Sequence, residues 1–280
     1  MDNDIVLTDN NENNNDDNNK KIEEIKFNKK IILFIIIYVL MQFILSGFLA
    51  IFLAIIYSNN NPDLEYIKLI EVLSLSDFEE VAEDYINAAM TILSYTNFLS
   101  YLIIFIFMII LLKKIFIDDF TKILSKPKFY AIFIPSAIII FNLISNLIDI
   151  LVSKLAPSNV NQNTIELMLL SDSSWGVIIM VVLLAPVIEE VIYRYSVFHF
   201  LGKKNIVLSY IVSTILFALP HMISTSISSV GIGIWLLQSI PYLVTGFLFS
   251  LIYHKSEYNI YTTIFAHMVN NLIAVIIILL

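Results

Sequence analysis

Residues 175–200 read WGVIIMVVLLAPVIEEVIYRYSVFHF. A helix needs about 20 predominantly apolar residues to cross a hydrocarbon core of roughly 30 Å, and this run is long enough. Yet it holds Glu189, Glu190 and Arg194, the last being the only arginine in the chain. An ionisable side chain at membrane depth costs roughly 3 kcal/mol or more unless it pairs or faces a cavity. A segment that is apolar along its length and charged near its middle therefore reads as a spanning helix that turns its charges toward protein, not lipid.

Comparable runs lie on both sides of it. Residues 31–57, 91–112, 129–153, 206–222, 232–253 and 260–280 are also candidate spans, and the one at 206–222 is short. Composition agrees. Of 280 residues, 58% are hydrophobic and 14% charged, and the mean hydropathy is +0.83. Soluble globular chains hold roughly 45–50% apolar and about 25% charged residues. The expected fold class is all-α, a polytopic transmembrane helix bundle of about seven spans. The lack of cysteine excludes disulfide frameworks, thiolate metal sites and a cysteine nucleophile. A net charge of −8 and a pI near 4.9 have the wrong sign for a nucleic-acid partner.

Charge also sets the orientation. Residues 1–30 open with an Asn-rich, nearly apolar-free stretch and read as a disordered polar cytoplasmic tail. Lys20, Lys21, Lys26, Lys29 and Lys30 precede the first run, and Lys113, Lys114, Lys122, Lys126 and Lys128 follow the second. Lys203 and Lys204 follow the fourth and Lys255 the sixth, while only Lys68 and Lys154 fall in the alternate loops. Thirteen lysines against two put the N-terminus in the cytoplasm, as expected for an integral protein of the plasma membrane. In the loop 58–90, LEYIKLIEVL and DFEEVAEDYI predict an amphipathic helix or helical hairpin on the outer face. The chain then divides into the tail, N-terminal spans with this outer loop over 31–124, and a core over 125–280.

The few intramembrane polar groups gather at one depth. At 1.5 Å rise per residue, Glu189 lies about 18 Å, and His221 about 22 Å, from the cytoplasmic ends of their spans. His267 and Asn271 lie about 12 and 18 Å along theirs. Glu190 and Arg194 are four apart, in the favoured order for a helical ion pair. Glu189 is rotated about 100° away and is left to find a partner elsewhere. His267 and Asn271 share a face, with Asn270 beside them. Pro186 and Pro220 each remove a backbone hydrogen bond, and irregular backbone at this depth is tolerated where it lines a cavity. The residues thus predict a polar cavity between the fourth, fifth and seventh spans.

Two chemistries suit this set. Glu and His can polarise a water while His and Asn donate to a developing oxyanion. Alternatively Glu189, His221 and His267 could be zinc ligands with an open position for water. Both routes hydrolyse an acyl bond. No HExxH, GxS or GxGD pattern occurs, so the common zinc-protease helix, a serine site and an intramembrane aspartyl site are absent. Asp149, His199, His254 and Trp175 read as interface or helix-end residues, and Phe217 as packing.

EEVIYR at 189–194, FALPH at 217–221 and HMVNN at 267–271 follow an EExxxR, FxxxH, HxxxN order. In this the chain resembles the CPBP family of intramembrane proteases: type II CAAX prenyl proteases of the Rce1 kind, bacteriocin-processing and immunity proteins, and Abi relatives. The resemblance covers roughly residues 125–280. It implies an endopeptidase, glutamate-dependent or of metalloprotease type, that acts on a membrane-associated protein or peptide, as in CAAX-box processing. By motif, Glu189 would activate water with His221, His267 and Asn271 would form the oxyanion hole, and Glu190 with Arg194 would support the site. No cofactor is firmly implied, and zinc is the alternative. Two other readings of the same residues are a non-catalytic membrane partner or bacteriocin-immunity protein, and a proton-coupled transporter that uses Glu189 and the histidines as a relay. No internal repeat favours the transporter.

Overall fold

Apolar runs become helices where the chain supplies a start signal. Asn159, Asn205 and Asn259 each cap a helix, their side chains accepting from the backbone N–H of Gln162, Leu208 and Tyr261. Pro127 opens another at the position where its missing N–H leaves nothing unpaired. The computed structural model describes residues 29–75, 78, 81–157, 159–171, 173–202, 205–223, 225 and 227–280. Residues 1–28 of the expected tail at 1–30 lie outside the described residues, as do Lys203 and Lys204 and part of the acidic stretch at 77–80, while Lys29 and Lys30 already belong to the first helix.

The described elements are helical, with no strand among the described residues. In chain order they are α1 (Lys29–Asn60), α2 (Tyr66–Leu73), α3 (Glu83–Ser125), α4 (Pro127–Ser153), α5 (Val160–Leu170), α6 (Ser174–Leu201), α7 (Ile206–Met222), α8 (Ile227–Val230), α9 (Ile232–Lys255) and α10 (Ile260–Leu279). Six of these, α1, α3, α4, α6, α9 and α10, are long and apolar enough to cross a membrane. The short run is α7, whose 17 residues rise about 25 Å. The chain folds as a polytopic helix bundle.

Two boundaries differ from expectation. The second span was expected to end at 112, with the lysines beyond it in a loop. The helix instead continues to Ser125, 43 residues in all, so Lys113, Lys114 and Lys122 are helical. A helix of that length rises about 65 Å, twice the hydrocarbon thickness. Hydropathy marks only the buried part of such a rod. In the 58–90 segment α2 forms as expected, but from Glu83 onward the second half joins α3 rather than making a hairpin.

At the other end of α3, Asp119 is buried and its carboxylate accepts from the Ile260 N–H at 2.7 Å. Asn259 Nδ2 donates to the Asp119 carbonyl at 2.8 Å. This clasp ties the start of α10 to α3 and so sets the level of His267. Across the bundle, α7 and α9 cross closely at Gly246, where an added Cβ would sit 3.1 Å from the Thr214 carbonyl oxygen and 3.3 Å from the Phe217 ring. A side chain there would push those neighbours back by a few tenths of an ångström.

Candidate active site

The backbone of α6 leaves the α-helical pattern twice, at Met180–Leu184 and Val191–Ser196, where it widens into π turns. The first has a cause in the sequence. Ala185 N–H bonds Met180 O five residues back. The same spacing would give Val181 O the N–H of residue 186, which is proline and has none. Asn271 Nδ2 supplies the missing donor at 2.8 Å. At the second turn, Ser196 Oγ donates to Val191 O at 2.8 Å and Ser213 Oγ to Tyr193 O at 2.6 Å. Side chains thus satisfy carbonyls that the irregular helix frees inside an apolar bundle.

Between these turns lie Glu189 and Glu190, both buried. Glu190 Oε1 meets Arg194 Nη1 at 3.1 Å, with both side chains fully enclosed. The guanidinium also donates from Nη2 to Gly246 O at 3.3 Å. Its centre lies 4.4 Å over the Phe217 ring and 5.0 Å over that of Phe249. Desolvated cation–π contacts of this kind stabilise by about 2 kcal/mol. Phe217 is therefore more than packing: it is the face on which the buried cation rests, and its ring also touches those of His221 and His267.

His267 stands between the two glutamates. Its Nδ1 lies 3.0 Å from Glu190 Oε1 and its Nε2 lies 4.0 Å from Glu189 Oε2. A carboxylate at Nδ1 favours the tautomer that carries its proton there, leaving the Nε2 lone pair directed at Glu189. The other Glu189 oxygen accepts from Tyr101 Oη at 3.5 Å.

All six residues singled out in the sequence lie on α6, α7 and α10, the three helices expected to flank the cavity. Their partners are less regular. His221 makes no hydrogen bond to Glu189; its ring stacks on Tyr242 with centroids 4.7 Å apart and 7° between planes. Tyr242 is held in turn by Asn159, whose Nδ2 donates to its hydroxyl at 3.0 Å. Asn271 commits one amide N–H to Val181 O and has a second, while among the described residues Asn270 Nδ2 reaches only Asn271 Oδ1, at 3.4 Å. Among the described residues no three His, Asp or Glu side chains converge as a metal-holding group. As arranged here, Glu189, His221 and His267 do not fit a three-ligand zinc centre. Tyr101, Tyr242 and Phe249 escaped the sequence reading, because an aromatic residue in an apolar run carries no mark that separates a site wall from a lipid anchor.

Comparison with known proteins points the same way. Residues 171–273 match the family model described as type II CAAX prenyl endopeptidase Rce1-like, the family whose motifs the sequence resembles. The matched stretch runs from just before α6 into α10 and contains all six residues. An uncharacterized protein of Mycoplasma capricolum subsp. capricolum is 34% identical over 102 residues, which make up 36% of this chain and 27% of that protein. The chain thus spans only about a quarter of that relative's length. No solved structure matches. Together with the apolar helices, the match supports an integral membrane protein.

Proposed function

We propose that this Rce1-like region makes the chain an intramembrane endopeptidase that hydrolyses a peptide bond of a membrane-associated protein or peptide. The observation that carries the reading is the pair Glu189 and His267, facing each other across 4.0 Å in a buried, irregular part of the bundle. That gap is too long for a direct hydrogen bond and admits a water bonded to both.

In this mechanism Glu189 takes a proton from the water as its oxygen attacks the scissile carbonyl. Glu190, bonded to Nδ1, keeps the His267 ring and tautomer fixed so that Nε2 can exchange a proton with the reacting groups. The second N–H of Asn271 serves the oxyanion. The proton then passes to the leaving amine. The motif resemblance pairs Glu189 with His221 instead, whose ring here stacks on Tyr242. The resting arrangement favours His267 as the immediate partner. The partners on this reading are the bilayer and the substrate, with the N-terminus cytoplasmic.

The test is cleavage of a tagged membrane substrate by purified protein. Glu189→Gln keeps the shape but cannot act as a base, so turnover should fall by about 10²–10⁴ while the protein still inserts. Normal turnover in this variant rejects the catalytic assignment. The absence of any cleavage by the wild type would favour a non-catalytic partner or a proton relay. Stoichiometric zinc, with activity lost to chelator and restored by zinc, would reassign Glu189, His221 and His267 as ligands.

A further inference from the structure

The matched residues begin at 171, yet the site does not end there. We propose that Tyr101 on α3 is a positioning residue for Glu189, so that the N-terminal helices complete the active site. The inference rests on the protease reading and extends it to a region that carries no motif. Glu189 is enclosed, and a buried carboxylate oxygen without a donor is costly. Oε2 faces His267, and the donor for Oε1 is the Tyr101 hydroxyl at 3.5 Å. No other protein donor reaches Oε1 among the described residues. Hydrogen bonds at catalytic groups are often long before substrate binds and tighten in the complex.

The surroundings fit a built contact. Tyr38 on α1 hydrogen-bonds Tyr193 on α6, hydroxyl to hydroxyl, at 3.0 Å. The N-terminal helices thus meet α6 through tyrosine hydroxyls twice, at Tyr38 and at Tyr101. A phenol suits this position, because it donates one hydrogen bond and brings no charge to compete with Arg194 for the carboxylates. Tyr101 touches Glu189 and not the reacting water, so its effect passes through the orientation of that carboxylate.

The experiment compares Tyr101→Phe with Tyr95→Phe, a control on the same helix with an exposed ring. Phenylalanine keeps the packing and removes only the hydroxyl. Tyr101→Phe should lower kcat by about tenfold, the low end for a hydrogen bond to a charged group, with KM unchanged. In a Glu189→Gln background it should cause no further loss. Infrared difference spectra give a readout that does not depend on turnover. The Glu189 carboxyl band, identified by its loss in Glu189→Gln, should shift in Tyr101→Phe and stay fixed in Tyr95→Phe. Wild-type kcat with an unmoved band in Tyr101→Phe overturns the inference, as does an equal effect of Tyr95→Phe. If instead the band shifts but Glu189→Gln cleaves normally, the contact stands and the protease assignment fails.

Discussion

Two spanning helices of similar length, α1 and α6, have opposite surroundings. In the most apolar stretch of α6, 61% of residues are buried inside the protein, against 22% in α1. Both contain a π turn, at Met41–Leu45 in α1 and twice in α6. In α1 the freed Gln42 carbonyl is met by the hydroxyl of Ser46 in the same helix, at 2.8 Å. In α6 Ser196 of the same helix meets the Val191 carbonyl, but Asn271 from α10 and Ser213 from α7 meet those of Val181 and Tyr193. Phe43, Phe48 and Phe52 of α1 point outward, where lipid solvates them, while α6 turns its charges onto α3, α7, α9 and α10. Hydropathy decides that each enters a bilayer; charge decides which one the bundle closes around.

The sharpest test of that contrast is the pair Glu190 and Arg194. Removing one member of an enclosed ion pair leaves an uncompensated charge and costs about 3–5 kcal/mol. Arg194→Leu should show that loss in thermal or denaturant unfolding in detergent. It also takes away the Gly246 contact and the cation over Phe217. Replacing Glu190 and Arg194 together by leucine should restore part of the stability, but not the activity, because Glu190 also fixes His267. Equal stability of single and double variants would mean that the pair does not hold α6 at the centre.

Asn271→Ala probes the contact between α6 and α10. The structure gives this side chain a backbone role that spacing could not reveal, so its loss should cost about 1–3 kcal/mol by leaving the Val181 carbonyl unpaired. If its other N–H also serves the oxyanion, kcat of the folded fraction falls by about 10²–10³. Asn270→Ala should do neither. A stable but inactive Asn271→Ala would remove the structural half of this account, and an unstable but fully active one the catalytic half.

Much of this was legible in the sequence, for a reason that also sets the limit. Glu189, Glu190, Arg194, His221, His267 and Asn271 stand out because a polar group in an apolar run demands explanation, and three helices carry them at one depth. Which imidazole meets which glutamate was not legible, since a rotation of about 100° on one helix exchanges partners. The π turns were hidden as well, apart from the hint of Pro186, because i to i+5 bonding has no residue signature. Tyr38 and Tyr101 were passed over since tyrosines near apolar runs usually mark the membrane interface. The true end of α3 was missed because polar residues after Leu112 resemble a loop when only hydropathy is read.

The smallest expected effect lies at the rim of the bundle. Lys126 and Glu257 form an ion pair whose side chains are 52% and 51% exposed, at the same end of the bundle as the Asp119 clasp. Both partners keep most of their water, so pairing recovers little that solvation did not already provide. Such pairs contribute about 0–1 kcal/mol, and Lys126→Ala should fall within that range. Salt separates it from the enclosed pair. At 1 M the screening length is about 3 Å, which should erase the Lys126→Ala difference and leave the Arg194→Leu difference nearly intact, since no counterion reaches a fully enclosed guanidinium. Unfolding of both variants at low and high salt measures this directly. A Lys126→Ala loss that matched Arg194→Leu and persisted in 1 M salt would mean that this rim pair, and not the charged centre of α6 alone, holds the bundle together.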